Sequence, residues 1–356
     1  MKRSFILCFL ALFACVSFAQ IDFQKDSLKV VFAKAQSENK ILMVDVFTDW
    51  CKWCIELDNK VYSNPEVYNF ANAHQVNYRI DAEKGEGIEF AKKYNVTGYP
   101  TVLFLDGSGN EIDRIIGYYP EKEFFANMKD YNAGKNTFAD LKKRMEKDPN
   151  DIPATLSMAE KQMALGNNDE ARKLLNKIID IDPQDLSGKA DKAKYDLASL
   201  SDSAHIINNL ETFIKENPSS SSLKDAYVSI AETYFYSRND EGNADKTYKE
   251  AFSLFPNDDG LNSSYGQYLN SKAVYLADKG SSSADYQNGL ALIDQALPYL
   301  KGTVNEGSSY YIQSKLYYNL KEYDKALGSI DKALKIFSRK LYRDMKEKIE
   351  KSMSMK

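Results

Sequence analysis

Cysteine and histidine are nearly missing from this chain. It has four cysteines and two histidines in 356 residues. Cys8 and Cys15 lie in an apolar N-terminal stretch, which leaves Cys51 and Cys54 as the only pair in the rest of the chain. An exported protein that relies on disulfides for stability carries several spaced pairs. A single pair this close together closes too short a loop to restrain the unfolded chain much. The pair is therefore read as chemical, not structural. A structural zinc site needs four ligands, usually including a second close cysteine pair, and the chain offers none, so no metal is expected. His74 and His205 stand near no motif and are read as surface or core residues. Excess charge of one sign is also lacking: 47 basic against 51 acidic residues give a net charge of −4. Without Lys2 and Arg3 it becomes −6 (45 against 51). A mildly acidic surface argues against nucleic acid or anionic lipid as a partner.

Long hydrophobic runs are absent beyond residue 19. Within residues 1–19, Lys2-Arg3 is a short positive region, Phe5 to Val16 a nearly unbroken apolar run, and Ser17-Phe18-Ala19 supplies small residues at the cleavage positions. This pattern reads as a secretory signal peptide cut after Ala19. The run is shorter than the roughly 20 residues that span a bilayer. Leu12-Phe13-Ala14-Cys15 also looks like a lipobox, in which Cys15 would be lipidated and become the mature N-terminus. Either way the chain is expected to be exported, to the periplasm or another extracytoplasmic space. What remains is long enough for two domains.

The rest is organised around Trp50-Cys51-Lys52-Trp53-Cys54. Before it, Ile41 to Phe47 is short, apolar and β-branched enough to be a buried strand. After it, Cys54 to Tyr62 has no Pro or Gly and reads as a helix. A cysteine at a helix N-terminus faces unpaired amides and the positive end of the helix dipole, which lower its pKa. Further on, Asp26 to Glu38 has helical spacing, and Asn64-Pro65-Glu66 starts a helix to about Ala73. Val76 to Asp81 is a strand and Ile88 to Tyr94 a helix. Val102 to Leu105 and Glu111 to Ile116 form a hairpin, and Glu121 to Tyr131 a final helix.

Two stretches, Val44 to Cys54 and Val96-Thr97-Gly98-Tyr99-Pro100-Thr101, resemble the thioredoxin superfamily, and most of all its secreted reducing domains. The resemblance implies an α/β thioredoxin-like fold over residues 20–132, a central mixed sheet flanked by helices. It implies that Cys51 and Cys54 are catalytic as a redox-active disulfide needing no further cofactor. Asp45 lies inside the strand, where a charge is costly to bury. It either faces a solvent edge or, as in thioredoxins, is buried behind the active site and handles the proton of the second cysteine. Where thioredoxins carry a buried lysine beside this aspartate, the chain has Asn77, which leaves that part of the network in question. By resemblance Pro100 is cis and faces the cysteines, leaving the backbone before it free to pair with an extended partner. Trp50, Lys52, Trp53, Tyr99 and Pro100 would form the substrate-docking surface. Lys52 would favour the Cys51 thiolate, and Trp53 would expose an apolar face beside the sulfur.

From Ala133 onward strand signals vanish. Residues 133–152 read as a linker or helix, 153–340 as four to five tetratricopeptide-like repeats, and 341–356 as a closing helix and tail. Leu165 to Ala171 with Pro183, and Lys321 to Ala326 with Ala333, resemble that repeat. Phe213 with Pro218, Ala251 with Pro256 and, most weakly, Ala296 with Pro298 keep the spacing, with proline ending each unit. Sixteen of the 24 tyrosines lie beyond residue 150 and are read mostly as packing positions, with an aromatic peptide groove as the sharper alternative. The expected function is an exported thiol–disulfide oxidoreductase that reduces protein disulfides, fed by an external thiol donor, with the repeats recruiting partners. The alternatives are a repeat-based interaction scaffold with a redox-sensitive module, or a disulfide oxidase or isomerase.

Overall fold

The computed structural model describes residues 20–355. The signal peptide, its cleavage after Ala19 and the lipidation of Cys15 lie outside the described residues. Among the described residues no helix is long and apolar enough to cross a membrane.

Strands β1 (Phe23–Gln24), β2 (Ile41–Phe47), β3 (Gln75–Asp81), β4 (Thr101–Leu105) and β5 (Glu111–Ile116) form one sheet in the order β1-β3-β2-β4-β5. β1, β3 and β2 run parallel, and β4 and β5 follow antiparallel, so the sheet is mixed. Successive side chains on a strand point to opposite faces, and this alternation divides the core in two. Met43, Val102 and Phe104 pack with α3 (Pro65–His74) and α5 (Glu121–Asn132). Leu42, Val44, Val46, Leu103 and Leu105 pack with α1 (Leu28–Glu38) and α4 (Glu86–Lys93). β2 is apolar on both faces because both are covered, as a central strand requires. Asp45 is its one exception, and by alternation it lies on the face of Met43.

The cysteine helix departs from the regular helix read at Cys54 to Tyr62. α2 (Lys52–Glu56) begins earlier, with Cys51 as its N-cap, and continues without a break as a π turn, Leu57–Tyr62. Leu57, Val61 and Tyr62 are buried there against the sheet. Asn64 caps α3, its Oδ1 accepting from Glu66 N at 2.8 Å, with Pro65 at the first position.

Helix α6 (Phe138–Lys147) occupies the stretch read as a linker or helix. The pairs α7 (Ile152–Ala164) and α8 (Asn168–Ile181), α9 (Ala190–Ser199) and α10 (Ile206–Glu216), and α11 (Leu223–Glu232) and α12 (Glu241–Leu254) follow. Then come α13 (Asp259–Lys279) and α14 (Ser283–Leu300), α15 (Val304–Asn319) and α16 (Tyr323–Ile336), and the closing α17 (Lys340–Ser354). The chain is thus a thioredoxin-like α/β fold followed by an all-α repeat array. Pro183, Pro218 and Pro256 stand just past α8, α10 and α12. Pro298 does not end its unit as the sequence implied: it lies inside α14, which runs on to Leu300. Its ring removes the N–H that would bond the carbonyl four residues back, and the helix ends two residues later. Small residues set the helix spacing. A Cβ on Gly266 would meet Leu300 Cγ at 2.7 Å. Tyr248, Tyr268 and Tyr342 are fully buried packing residues.

Among the described residues, the array touches the α/β domain at the β5 edge and at α2. At the β5 edge, Lys161 Nζ of α7 lies 2.6 Å from the buried Asp113 Oδ1, and Phe138 N of α6 donates to Asp113 Oδ2 at 2.9 Å. Far along the chain, Val304 N of α15 donates to Glu56 Oε2 at 3.2 Å, and Ile55 packs against the core of the last helices.

Candidate active site

β2 ends at Phe47, and the chain turns through Thr48, Asp49 and Trp50 to set Cys51 at the head of α2, with Cys51 N donating to Thr48 O at 3.1 Å. Cys51 and Cys54 form a disulfide. Cys51 Sγ also accepts a hydrogen bond from Cys54 N at 3.1 Å. Once the disulfide opens, an amide aimed at the outer sulfur favours its thiolate. Both residues are nearly covered, Cys51 at 4% and Cys54 at 2% exposure.

Asp45 is wholly buried, which removes the solvent-edge alternative. Its face of β2 is the one that carries the π turn behind the cysteines. Arg79 Nε lies 3.0 Å from Asp45 Oδ2, but off the line of a hydrogen bond, and neither carboxylate oxygen has a hydrogen-bond donor among the described residues. Burial therefore dominates and pushes the Asp45 carboxyl up to about 7, the Arg79 charge opposing it only in part. Such a group exchanges a proton near neutral pH.

The question left by Asn77 is resolved two residues along. Asp45 and Arg79 are direct partners in the β2–β3 register, and residues 77 and 79 share a face of β3. The cation beside Asp45 is Arg79, half-buried, not a residue at position 77. Arg79 Nη1 also reaches Asp58 Oδ1 at 2.9 Å, from the π turn, and its guanidinium lies 4.4 Å from the centre of the Phe47 ring. One guanidinium thus bridges two carboxylates. Burial raises the Asp58 pKa as well, against the pull of Arg79. Tyr62 OH is buried in the same neighbourhood without a hydrogen-bond partner among the described residues.

The peptide Tyr99–Pro100 is cis, and its loop meets the cysteine motif through Tyr99, whose ring packs edge-on to Trp50 at 5.8 Å. Trp50 is 55% exposed and donates from Nε1 to Glu83 at 3.0 Å. Pro100 is buried, and its carbonyl accepts from Gly117 N at 2.8 Å. Trp53 differs from the exposed apolar face read from the sequence. It is half-buried and stacks on Tyr118 with ring centres 5.6 Å apart. A large ring on the first turn of α2 finds an aromatic partner in the chain after β5, which local sequence does not announce. Lys52 is turned to the helical array: its Nζ donates to Asn305 Oδ1 of α15 at 3.0 Å and lies 5.0 Å from the Trp53 ring centre. Burial, helped by the charge of Arg339, lowers its pKa.

Arg79, Asp58, Tyr118, Glu56 and Asn305 escaped the sequence reading. For Arg79 the sequence signal was weak, a lone cation within β3, whose facing residue Asp45 is given only by the strand register. For Glu56 and Asn305, which meet Val304 and Lys52 respectively across about 250 residues of chain, there was none.

Both parts of the chain are similar to known proteins. Residues 28–132 match the sequence model of a thioredoxin-like domain, and residues 130–195 and 307–339 match tetratricopeptide repeat models. The thiol:disulfide interchange protein DsbD of Tatumella citrea is 32% identical over 102 residues, which are 28% of this chain and 18% of that protein. The chain thus spans under a fifth of the length of the curated relatives it matches. A candidate disulphide isomerase of Bacteroides thetaiotaomicron is 38% identical, over 32% of this chain and 93% of its own, with a TM-score of 0.30. A tetratricopeptide repeat protein of Parabacteroides merdae aligns over 65% of this chain and 80% of its own, at 12% identity and a TM-score of 0.39.

Proposed function

We propose that this chain is an exported thiol–disulfide oxidoreductase that reduces disulfides of protein partners. The observation that carries the reading is the Cys51–Cys54 disulfide at the head of α2, beside the cis-Pro100 loop and on the side of the sheet where Asp45 is buried. In the reduced protein the Cys51 thiolate attacks one sulfur of the partner disulfide. A mixed disulfide forms and the partner's other sulfur leaves as thiolate. Asp45 takes the proton of Cys54, whose sulfur attacks Cys51 Sγ, re-forms the Cys51–Cys54 bond and releases the partner's second thiolate. The partner gains two electrons. An external thiol donor returns them to the cysteines, and no cofactor beyond the disulfide takes part. Trp50, Tyr99 and Pro100 hold the partner segment against Cys51, Lys52 and Trp53 border it, and the repeats recruit the partner.

The DsbD relatives are named for thiol:disulfide interchange, which supports exchange chemistry and leaves its direction to experiment. The test is the equilibrium reduction potential of the Cys51–Cys54 pair in the full mature protein. A value near about −270 mV supports a reductant, and one near about −120 mV reverses the electron flow to disulfide formation. If no reversible disulfide forms, the repeats alone carry the function, as an interaction scaffold. Mass analysis of the exported protein separates cleavage after Ala19 from a lipid on Cys15.

A further inference from the structure

The docking of α15 on α2 leaves a cleft of about 330 Å³ between Lys52 and helices α13 and α15. Its walls are neutral hydrogen-bonding groups: Gln267, Asn270 and Ser271 from α13, Asn305 and Ser308 from α15, and Tyr236 from the π turn that follows α11. Lys52 is its only ammonium, and no carboxylate lines it. Two of the amides are nearly enclosed, Asn305 at 3% and Asn270 at 7% exposure. Each spends its carbonyl oxygen inside the protein: Asn305 Oδ1 accepts from Lys52 Nζ, and Asn270 Oδ1 from Ser309 Oγ at 3.0 Å. Their Nδ2 donors make no hydrogen bond among the described residues, and both residues face the cleft. Amide donors on enclosed residues that open into a cleft are free to take an acceptor bound there. Tyr236 is held over the cleft by its hydroxyl, 2.9 Å from Ser271 Oγ.

We infer that this cleft binds the main chain of the extended segment next to the partner's cysteine, so that the repeat array and the redox helix form one substrate site. The inference rests on the oxidoreductase reading above and names where its substrate lies. Lys52 follows Cys51 directly, so a polypeptide joined to Cys51 through its own cysteine has this cleft beside it. Neutral amide donors bind peptide carbonyls without selecting charge, and Val274 and Ile312 add apolar contact for small side chains. The small volume, at the low end for ligand pockets, limits the occupant to a short segment.

The test uses the full-length reduced protein and peptides with one cysteine, blocked as the mixed disulfide with 5-thio-2-nitrobenzoate. Attack of Cys51 on the peptide sulfur releases that thiolate as a chromophore. Glycine–serine flanks are lengthened stepwise, in one series before the cysteine and in another after it. The expected result is a rate constant that rises by about tenfold along one series and stays flat along the other. That rise corresponds to one or two hydrogen bonds of about 1 kcal/mol each. In Asn270→Ala the ratio of long-flank to no-flank rates should fall to about one. Because Asn270 also holds Ser309, Gln267→Ala, on a half-buried position of the cleft wall, is the second variant, with the same expected fall. Rates independent of flank length on both sides, or an equal rise in both variants, would overturn the inference. A probe without flanks that releases no thiolate at all would instead sink the oxidoreductase reading, and this inference with it.

Discussion

Asp45→Asn separates the cost of the buried carboxyl from every other contribution to stability, because it removes the charge and keeps the shape. In the folded protein this group titrates at about 7, against 3.8 for a free aspartate. Between those two pH values the folded protein holds a proton that the unfolded chain has released, so stability falls as pH rises through that window and levels off above it. Roughly three units at about 1.36 kcal/mol each give about 4 kcal/mol of destabilisation at pH 8 relative to pH 3. The asparagine variant lacks this loss. The difference in stability between variant and parent should therefore grow by about 4 kcal/mol from acid to pH 8, most of it between pH 4 and 7. Urea unfolding of the oxidised proteins, followed by tryptophan fluorescence, reads the right domain, since Trp50 and Trp53 are the only tryptophans. Parallel pH profiles for the two proteins would refute the argument and move Asp45 out of the proton chemistry.

Arg79→Met removes the cation 3.0 Å from Asp45, worth at least about 1.4 kcal/mol even at the dielectric constant of water. The Asp45 carboxyl should then titrate at least about one unit higher, and the pH at which mixed disulfides begin to resolve quickly should rise with it. An unshifted profile would mean that the guanidinium acts only on packing. Glu56→Ala deprives the buried Val304 amide of its acceptor. It should cost about 1–3 kcal/mol, seen as faster amide exchange at the start of α15, and Glu56→Gln should restore much of it. Gly266→Ala would bring a methyl group to 2.7 Å from Leu300 Cγ, and should lower the stability of the array by about 1–3 kcal/mol in urea unfolding followed by circular dichroism.

What the sequence disclosed was local. The strand at Ile41 to Phe47, the cap at Asn64 and the prolines after α8, α10 and α12 follow from composition and spacing within a few residues. The cysteine motif and the Tyr99–Pro100 loop were legible as two short patterns, and the sheet places them side by side. Arg79 was hidden because its role comes from register: only once β2 and β3 pair does residue 79 stand opposite residue 45. The π turn was hidden because one extra residue per turn leaves no mark on an apolar pattern this short. The docking of α15 was least legible of all, since nothing near Lys52 or Glu56 indicates that Asn305 and Val304 are close.

Repeat arrays touch only their neighbours and so bend and twist easily along their length. Here the array is tied down twice, through Asp113 at its start and through Glu56 and Lys52 near its end. A spring fixed at both ends loses its softest modes. The opening between the helices and the disulfide then has a set width, and any partner that widens it must pull on the α2–α15 contact. Force on the last repeats would reach the cysteine helix through the Lys52–Asn305 and Glu56–Val304 hydrogen bonds and the packing of Ile55.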